Sequence, residues 1–306
     1  MRVVFFGYGE LGGVALTGLL AEHEVPLVVT HPVDFSGLGE PDVLDRVQWH
    51  DLPVMLSAYG TEADLPDRIR AARPDLIVST NWRTRLPAGL LSLAPLGALN
   101  VHDALLPKYS GFGAINWAIR NGETETGVTV HVMEPEFDTG PVVARTVVPI
   151  GPEITAGELY QQVTAQYVPT LSTAIRARAE GRTGTPQDPA LRTFYHRIGP
   201  ADVRIDWNQP SRKVYDLVRA QSDPYLNAWT TYEGEQVRIK VARLPETAHG
   251  GTPGRVIRRT EGGVAVGCGP VGEAGSHGLI VVTVQPPEGD EIPAAEYFKR
   301  MGTYLS

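Results

Sequence analysis

At 306 residues, 42% of them hydrophobic and 20% charged, the chain is long enough for two folded domains and apolar enough for real cores, which excludes a disordered or fibrous protein. A single cysteine, Cys268, excludes an internal disulfide framework and a multi-cysteine zinc site and fits a reducing compartment; its expected role is that of a buried bystander. A formal net charge of -8 argues against general affinity for nucleic acid, since 12 basic residues face 12 acidic ones from Arg204 onward and 15 face 23 before it.

The opening run MRVVFFGYGELGG is too short in apolar residues for a membrane span or a signal sequence, so a cytoplasmic protein without a membrane partner is expected. Arg2 to Phe6 reads as a strand, and Glu10 to His23 carries Leu11, Val14, Ala15 and Leu19 at helical spacing. Between them Gly7-Tyr8-Gly9-Glu10-Leu11-Gly12 satisfies G-x-G-x-x-G, and the acidic Asp34 follows the next strand, Pro26 to Thr30. That pattern suits a dinucleotide, and an NAD(P)-binding oxidoreductase is one reading of it. Against this, Glu10 at the helix start repels the pyrophosphate that the helix dipole attracts.

A polar loop from His31 to Glu40 leads to a helix at Asp42 to Trp49, a strand at Leu52 to Leu56 and a helix at Leu65 to Ala72. Within Asp75 to Thr80 the apolar run is continuous rather than alternating, as in a strand buried on both faces, so the fold class is α/β with a doubly wound, mostly parallel sheet. Asn81-Trp82-Arg83-Thr84-Arg85-Leu86 follows at the carboxyl end of that strand, where open α/β sheets bind ligands. Trp82 and the two arginines suit a flat heterocycle with a charged tail; equally, Trp82 suits an aromatic sealing the sheet edge.

Ala98 to Val101 reads as a short buried strand, which puts Asn100 and His102 on one side as it runs out. Thr126 to Met133 alternates like a half-buried strand and ends in an acidic loop, Glu134, Glu136 and Asp138, closed by Thr139-Gly140. Asp138 can then face His102. Val142 to Ile150 continues as strand, and Ala156 to Glu180 reads as one long helix. Gly181 to Pro189 marks a compositional shift. The expected division is a catalytic domain at 1–185, a linker at 186–207 and a C-terminal domain at 208–306. Five short strands beyond Trp229, separated by Gly and Pro, suggest a small barrel.

An amide, an imidazole and a carboxylate are an acyl-transfer set. Asn100 can donate to a developing oxyanion, His102 can move a proton near neutrality, and Asp138 can orient it. No metal is required by this chemistry.

Asn100-Val101-His102-Asp103-Ala104-Leu105-Leu106-Pro107, then Glu125-Thr126-Gly127-Val128-Thr129, Met133 and Asp138-Thr139-Gly140, recur in that order in formyltransferases that use formyl-tetrahydrofolate. The chain resembles that family along nearly its whole length. The resemblance implies a Rossmann-like catalytic domain and an OB-like C-terminal domain, with 10-formyltetrahydrofolate as co-substrate and no metal. It implies Asn100, His102 and Asp138 as catalytic, and Trp82, Arg83, Thr84, Leu86, Glu134 and Asp138 around the pterin. Asp103, Lys108, Tyr109 and Phe112 fall on the acceptor side, where Lys108-Tyr109-Ser110-Gly111 and Asp103 depart from the commoner Arg and Gly.

Those blocks, with Asn81-Trp82-Arg83-Thr84 and Tyr297-Phe298-Lys299-Arg300-Met301-Gly302, look most like formyltransferases of hydroxamate siderophore pathways. They point to the side-chain nitrogen of hydroxyornithine, a small-molecule amine, with no nucleic-acid partner. A nucleotide-linked amino sugar, methionyl-tRNA, or a non-catalytic role in folate binding remain the alternatives.

Overall fold

The computed structural model describes residues 1–36, 39–269 and 277–306. The chain forms two compact units, one of residues 1–111, 126–148 and 161–195, the other of 112–125, 149–160 and 196–306.

In chain order the first unit begins with β1 (Arg2–Gly7), α1 (Gly9–Glu22), β2 (Glu24–Thr30), α2 (Asp42–Trp49), β3 (Val54–Leu56), α3 (Leu65–Ala72), β4 (Leu76–Thr80), α4 (Ala88–Leu91) and β5 (Ala98–His102). A two-residue strand, β6 (Ser110–Gly111), precedes α5 (Ala114–Asn121) of the second unit; β7 (Glu125–Val132) and β8 (Val142–Pro149) return to the sheet. The seven-stranded order is β3-β2-β1-β4-β5-β7-β8. Strands β3, β2, β1, β4 and β5 are parallel, and β7 runs antiparallel to β5. All five residues of β4 are buried, the apolar run Leu76 to Val78 together with Ser79 and Thr80, as in a strand covered on both faces. One face of the sheet packs Val4, Phe6, Val29 and Ile77 against Leu65 and Ile69 of α3. Apolar residues at helical spacing in α3 meet a sheet face whose alternate residues are apolar, and burial of both stabilises the pair.

The long helix expected at Ala156 to Glu180 is instead two, α6 (Ala156–Thr164) and α7 (Tyr167–Ala179). Pro169 explains the break. A proline has no N–H and its ring collides with the carbonyl four residues earlier, so it is tolerated only in a first turn, and α7 restarts two residues before it. At the junction Gln166 bonds back to Val163 in a tightened turn. Beyond α7, β9 (Phe194–Tyr195) pairs with β6 in parallel.

The second unit adds α8 (Ser211–Ala220) and an antiparallel sheet of β10 (Ala228–Tyr232), β11 (Glu235–Arg243), β12 (Val256–Thr260), β13 (Gly263–Val266), β14 (Leu279–Gln285) and β15 (Ile292–Pro293), followed by α9 (Ala294–Tyr297). Its order, β10-β11-β14-β13-β12, leaves β10 and β12 as edges. The last residues of the sequence satisfy both. Thr231 and Ser306 exchange backbone hydrogen bonds of 2.7 and 3.1 Å on one side, while Val256 donates to Thr303 and Leu305 to Gly254 on the other. An edge strand is otherwise a row of unpaired donors and acceptors, so this segment closes the sheet into the OB-like barrel that the strand pattern predicts. Leu305, 4% exposed, fills the seam in the same apolar core as Trp207, Tyr232 and Phe298. Cys268 is buried there too, and burial pushes its thiol up to about 12, which leaves it unreactive. Among the described residues no helix is long and apolar enough to cross a membrane.

Replacing Leu305 by Ala should therefore cost about 2 kcal/mol or more of unfolding free energy. Denaturant unfolding followed by the fluorescence of Trp207, buried beside the seam, measures it. A change under about 0.5 kcal/mol would mean that the tail does not close the barrel.

Candidate active site

The antiparallel register of β5 and β7 puts Asn100 opposite His131 and His102 opposite Thr129. Period two then brings Asn100, His102, Thr129 and His131 to one face of the sheet. His102 is 6% and His131 2% exposed, whereas Asn100 is half-buried. The Nε2–H of His102 donates to the Tyr109 carbonyl at 2.8 Å, which turns Nδ1 toward two carboxylates, Asp138 Oδ2 at 3.8 Å and Asp103 Oδ1 at 3.9 Å. These separations are too long for hydrogen bonds but short for charges out of water. Burial pulls the imidazole pKa down, yet the fields of Asp138 and then Asp103 outweigh it, and the net shift is upward.

Asp138 is held by backbone. It adopts φ +57°, a left-handed conformation that Asp tolerates better than most residues, and its Oδ2 accepts from the Gly111 N–H at 2.8 Å. Gln187 donates to the carbonyls of Asp138 and Gly140 at 2.8 and 2.7 Å, and Arg192 to that of Phe137 at 2.9 Å. A Cβ at Gly140 would lie 1.9 Å from the Val132 carbonyl oxygen, so the Asp-Thr-Gly turn needs glycine to fold back on β7. Burial pushes the Asp138 carboxyl upward. The charge of His102 and the Gly111 N–H act against this, and the carboxyl is held well below the usual carboxylate range.

The other predicted residues separate into groups. Trp82, 8% exposed, stacks on His31 at 3.8 Å and meets the edge of Phe6 at 5.3 Å, and with Leu86 it belongs to the apolar core. Arg83 forks onto both oxygens of Glu40 at 2.9 and 3.0 Å and lies 4.8 Å above the Tyr8 ring. Glu134 is exposed and accepts from the Thr139 hydroxyl. Tyr109 is buried against Tyr195 at 4.9 Å, Lys108 is exposed, and Phe112 begins a segment of the second unit. Sequence reasoning missed His131 and Gln187; the signal for His131 was a polar residue two beyond Thr129, on the same face of an alternating strand.

At the end of β4, Ser79 Oγ, Thr80 Oγ1, Trp82 Nε1, Arg83 Nη1 and Thr84 Oγ1 are buried with no partner among the described residues. Buried polar atoms in native proteins are nearly always satisfied, by protein, bound water or ligand, so this cluster is not a dry apolar core. The glycine-rich turn does not offer the same. A Cβ on Gly9 would lie 2.1 Å from Glu40 Oε2, so a carboxylate paired with Arg83 already occupies the start of α1, where a pyrophosphate would bind. His31, beneath, is pushed down to about 4, chiefly by burial, and presents Nε2 as an acceptor for the Arg83 N–H.

Residues 1–175 match the family described as formyl transferase, and residues 197–302 match the formyl transferase C-terminal domain. A methionyl-tRNA formyltransferase of Pseudomonas putida is 32% identical over 304 residues, covering 97% of this chain and 95% of its own. One from Roseiflexus castenholzii is 34% identical over 318 residues, covering 100% and 97%. Among solved structures, HypX from Aquifex aeolicus in complex with tetrahydrofolic acid superposes with a TM-score of 0.64 at 22% identity; it covers 97% of this chain, which spans 47% of that one. The chain belongs to the formyl transferase family, and it is a folate-dependent formyltransferase.

These relatives correct two expectations. The assignment to hydroxyornithine and siderophore pathways, with a small-molecule amine as partner and no nucleic acid, is overturned by likeness over almost the whole chain to enzymes named for methionyl-tRNA. The loop blocks that suggested it, around Lys108 to Phe112 and Tyr297 to Gly302, are short segments beside that span. Net charge misled for a physical reason: it sums over the whole surface, while binding of a polyanion depends on local groups.

Replacing Asp138 by Asn should lower the His102 pKa, and Asp103→Asn should lower it less, because Asp138 exerts the larger field. The native imidazole keeps its proton to higher pH than in the unfolded chain. Its contribution to stability is thus complete below 6.5 and fades as pH rises through the native value. Asp138 contributes above 3.8 and is lost on acidification. NMR titration of the imidazole checks this; an unmoved His102 in Asp138→Asn would refute the coupling.

Proposed function

We propose that this chain transfers the formyl group of 10-formyltetrahydrofolate to the amino group of methionyl-tRNA, with Asn100, His102 and Asp138 as its catalytic residues. The observation that carries the acceptor is the full-length likeness to methionyl-tRNA formyltransferases. The loop from Asn81 to Leu86, at the carboxyl end of β4, is where an open α/β sheet takes its ligand, and supports a reduced folate there. Formylfolate supplies the activated formyl group. The chain supplies the rest.

Asn100 reaches out from the end of β5 and offers amide hydrogen to the charge that develops on the formyl oxygen; such a donor is worth about 3 to 4 kcal/mol in acyl transfer. His102, anchored through Nε2 at the Tyr109 carbonyl, has Nδ1 free to hold or move a proton. Asp138 favours the protonated form and fixes the ring. No nucleophilic side chain is needed, because the acceptor amine attacks directly. A cytoplasmic location goes with a tRNA substrate.

Purified protein incubated with 10-formyltetrahydrofolate and charged initiator tRNA should yield formylmethionyl-tRNA. The KM for the tRNA should rise steeply with salt, as counterion release dictates. Formylation of free small amines in preference to the charged tRNA would overturn the acceptor and leave the reaction type intact.

A further inference from the structure

The geometry points to His131 as the positioning residue for Asn100: its imidazole, in the tautomer with the proton on Nδ1, accepts a hydrogen bond from the Asn100 carboxamide and fixes the direction in which the second amide hydrogen points. The inference rests on the proposed role of Asn100 as the donor to the reacting formyl oxygen.

Three contacts define the ring. Nδ1 lies 2.8 Å from the Val132 carbonyl oxygen, which can only accept, so Nδ1 carries hydrogen. Nε2 lies 3.2 Å from Asn100 Nδ2, which can only donate, so Nε2 offers its lone pair. Asp138 Oδ1 is 3.5 Å from Nε2, beyond good hydrogen-bond length, while Oδ2 of the same carboxylate is satisfied by the Gly111 N–H at 2.8 Å. The closest partner of Nε2 is therefore the amide.

The surroundings keep this arrangement rigid. His131 is 2% exposed and sits directly opposite Asn100 in the β5–β7 register, so its ring has no solvent to turn into. An asparagine side chain rotates readily about its last bond, and exchanging its O and N would present a carbonyl, which repels an oxyanion, in place of a donor. One amide hydrogen spent on His131 Nε2 blocks that exchange. The other remains for the formyl oxygen. Preorganisation of this kind is what makes an oxyanion donor effective, since nothing need reorient as charge develops.

The first test needs no acceptor. In wild-type protein labelled with 15N-histidine, His131 should show an unprotonated Nε2 and a protonated Nδ1 at pH 7.5, with Nε2 shifting in Asn100→Ala. A His131 protonated on both nitrogens, or on Nε2 alone, would overturn the proposal, because Nε2 would then donate and the amide would stand reversed. The second test is kinetic. His131→Leu should lower the single-turnover rate of formyl transfer by about tenfold to a hundredfold, with folate affinity within about threefold of wild type. His131→Gln, whose carbonyl oxygen can accept from Asn100 in place of Nε2, should recover most of that rate. Unaltered turnover in His131→Leu, or equal loss in the Leu and Gln variants, would overturn the positioning role. Failure of the protein to formylate methionyl-tRNA would count against the acceptor alone, since the tautomer is read without it.

Discussion

A single carboxylate, that of Asp138, is buried beside two imidazoles and has few ways to be stable there. A lone charge out of water is costly, so it must be hydrogen-bonded or paired. The Gly111 N–H supplies the bond and His102 the opposing charge. Much of the surrounding chain serves to keep this arrangement. The left-handed backbone at Asp138, the bare Cα of Gly140 against Val132 and the amide of Gln187 all fix the loop that carries it. Because the carboxylate cannot move, His102 is both oriented and biased toward its protonated form, which is the state a proton donor needs.

A second buried pairing closes off a different chemistry. At the amino end of α1 the helix dipole and the tight Gly7 to Gly12 turn would suit a phosphate, but Glu40 stands there, both its oxygens accepting from Arg83 Nη2. The pair is mostly sheltered, with both side chains about one-fifth exposed, so neither partner can leave without exposing the other's charge to a poor solvent. The glycine motif is thus a structural turn whose anion is internal. Five polar atoms at the end of β4 lack partners among the described residues.

Much of this was legible in the sequence because the signals were local. The continuous run at β4 announced a parallel buried strand, Asn100 and His102 shared a face by period two, and Asp138 was marked by the turn that follows it. What escaped depended on contacts distant in sequence. His131 looks like one polar position in an alternating strand until the register with β5 sets it opposite Asn100. Gln187 lies in a stretch whose composition says only turn, yet its side chain ties down two carbonyls more than forty residues earlier. Trp82 could be assigned from sequence either to a ligand or to the core; its stacking on His31 follows from the return of β2 to a place beside β1. The acceptor was misjudged because short loop blocks were weighed above similarity spread over the whole chain.

The account stands on Asn100 acting in the transition state rather than in ground-state binding. Single-turnover formyl transfer by Asn100→Ala, measured beside its affinity for a formylfolate analogue, tests that most directly. The rate should fall by about a hundredfold to a thousandfold while the affinity stays within about threefold of wild type. A rate close to that of the unaltered enzyme would contradict the assignment and leave Asn100 as a residue that merely ends a strand.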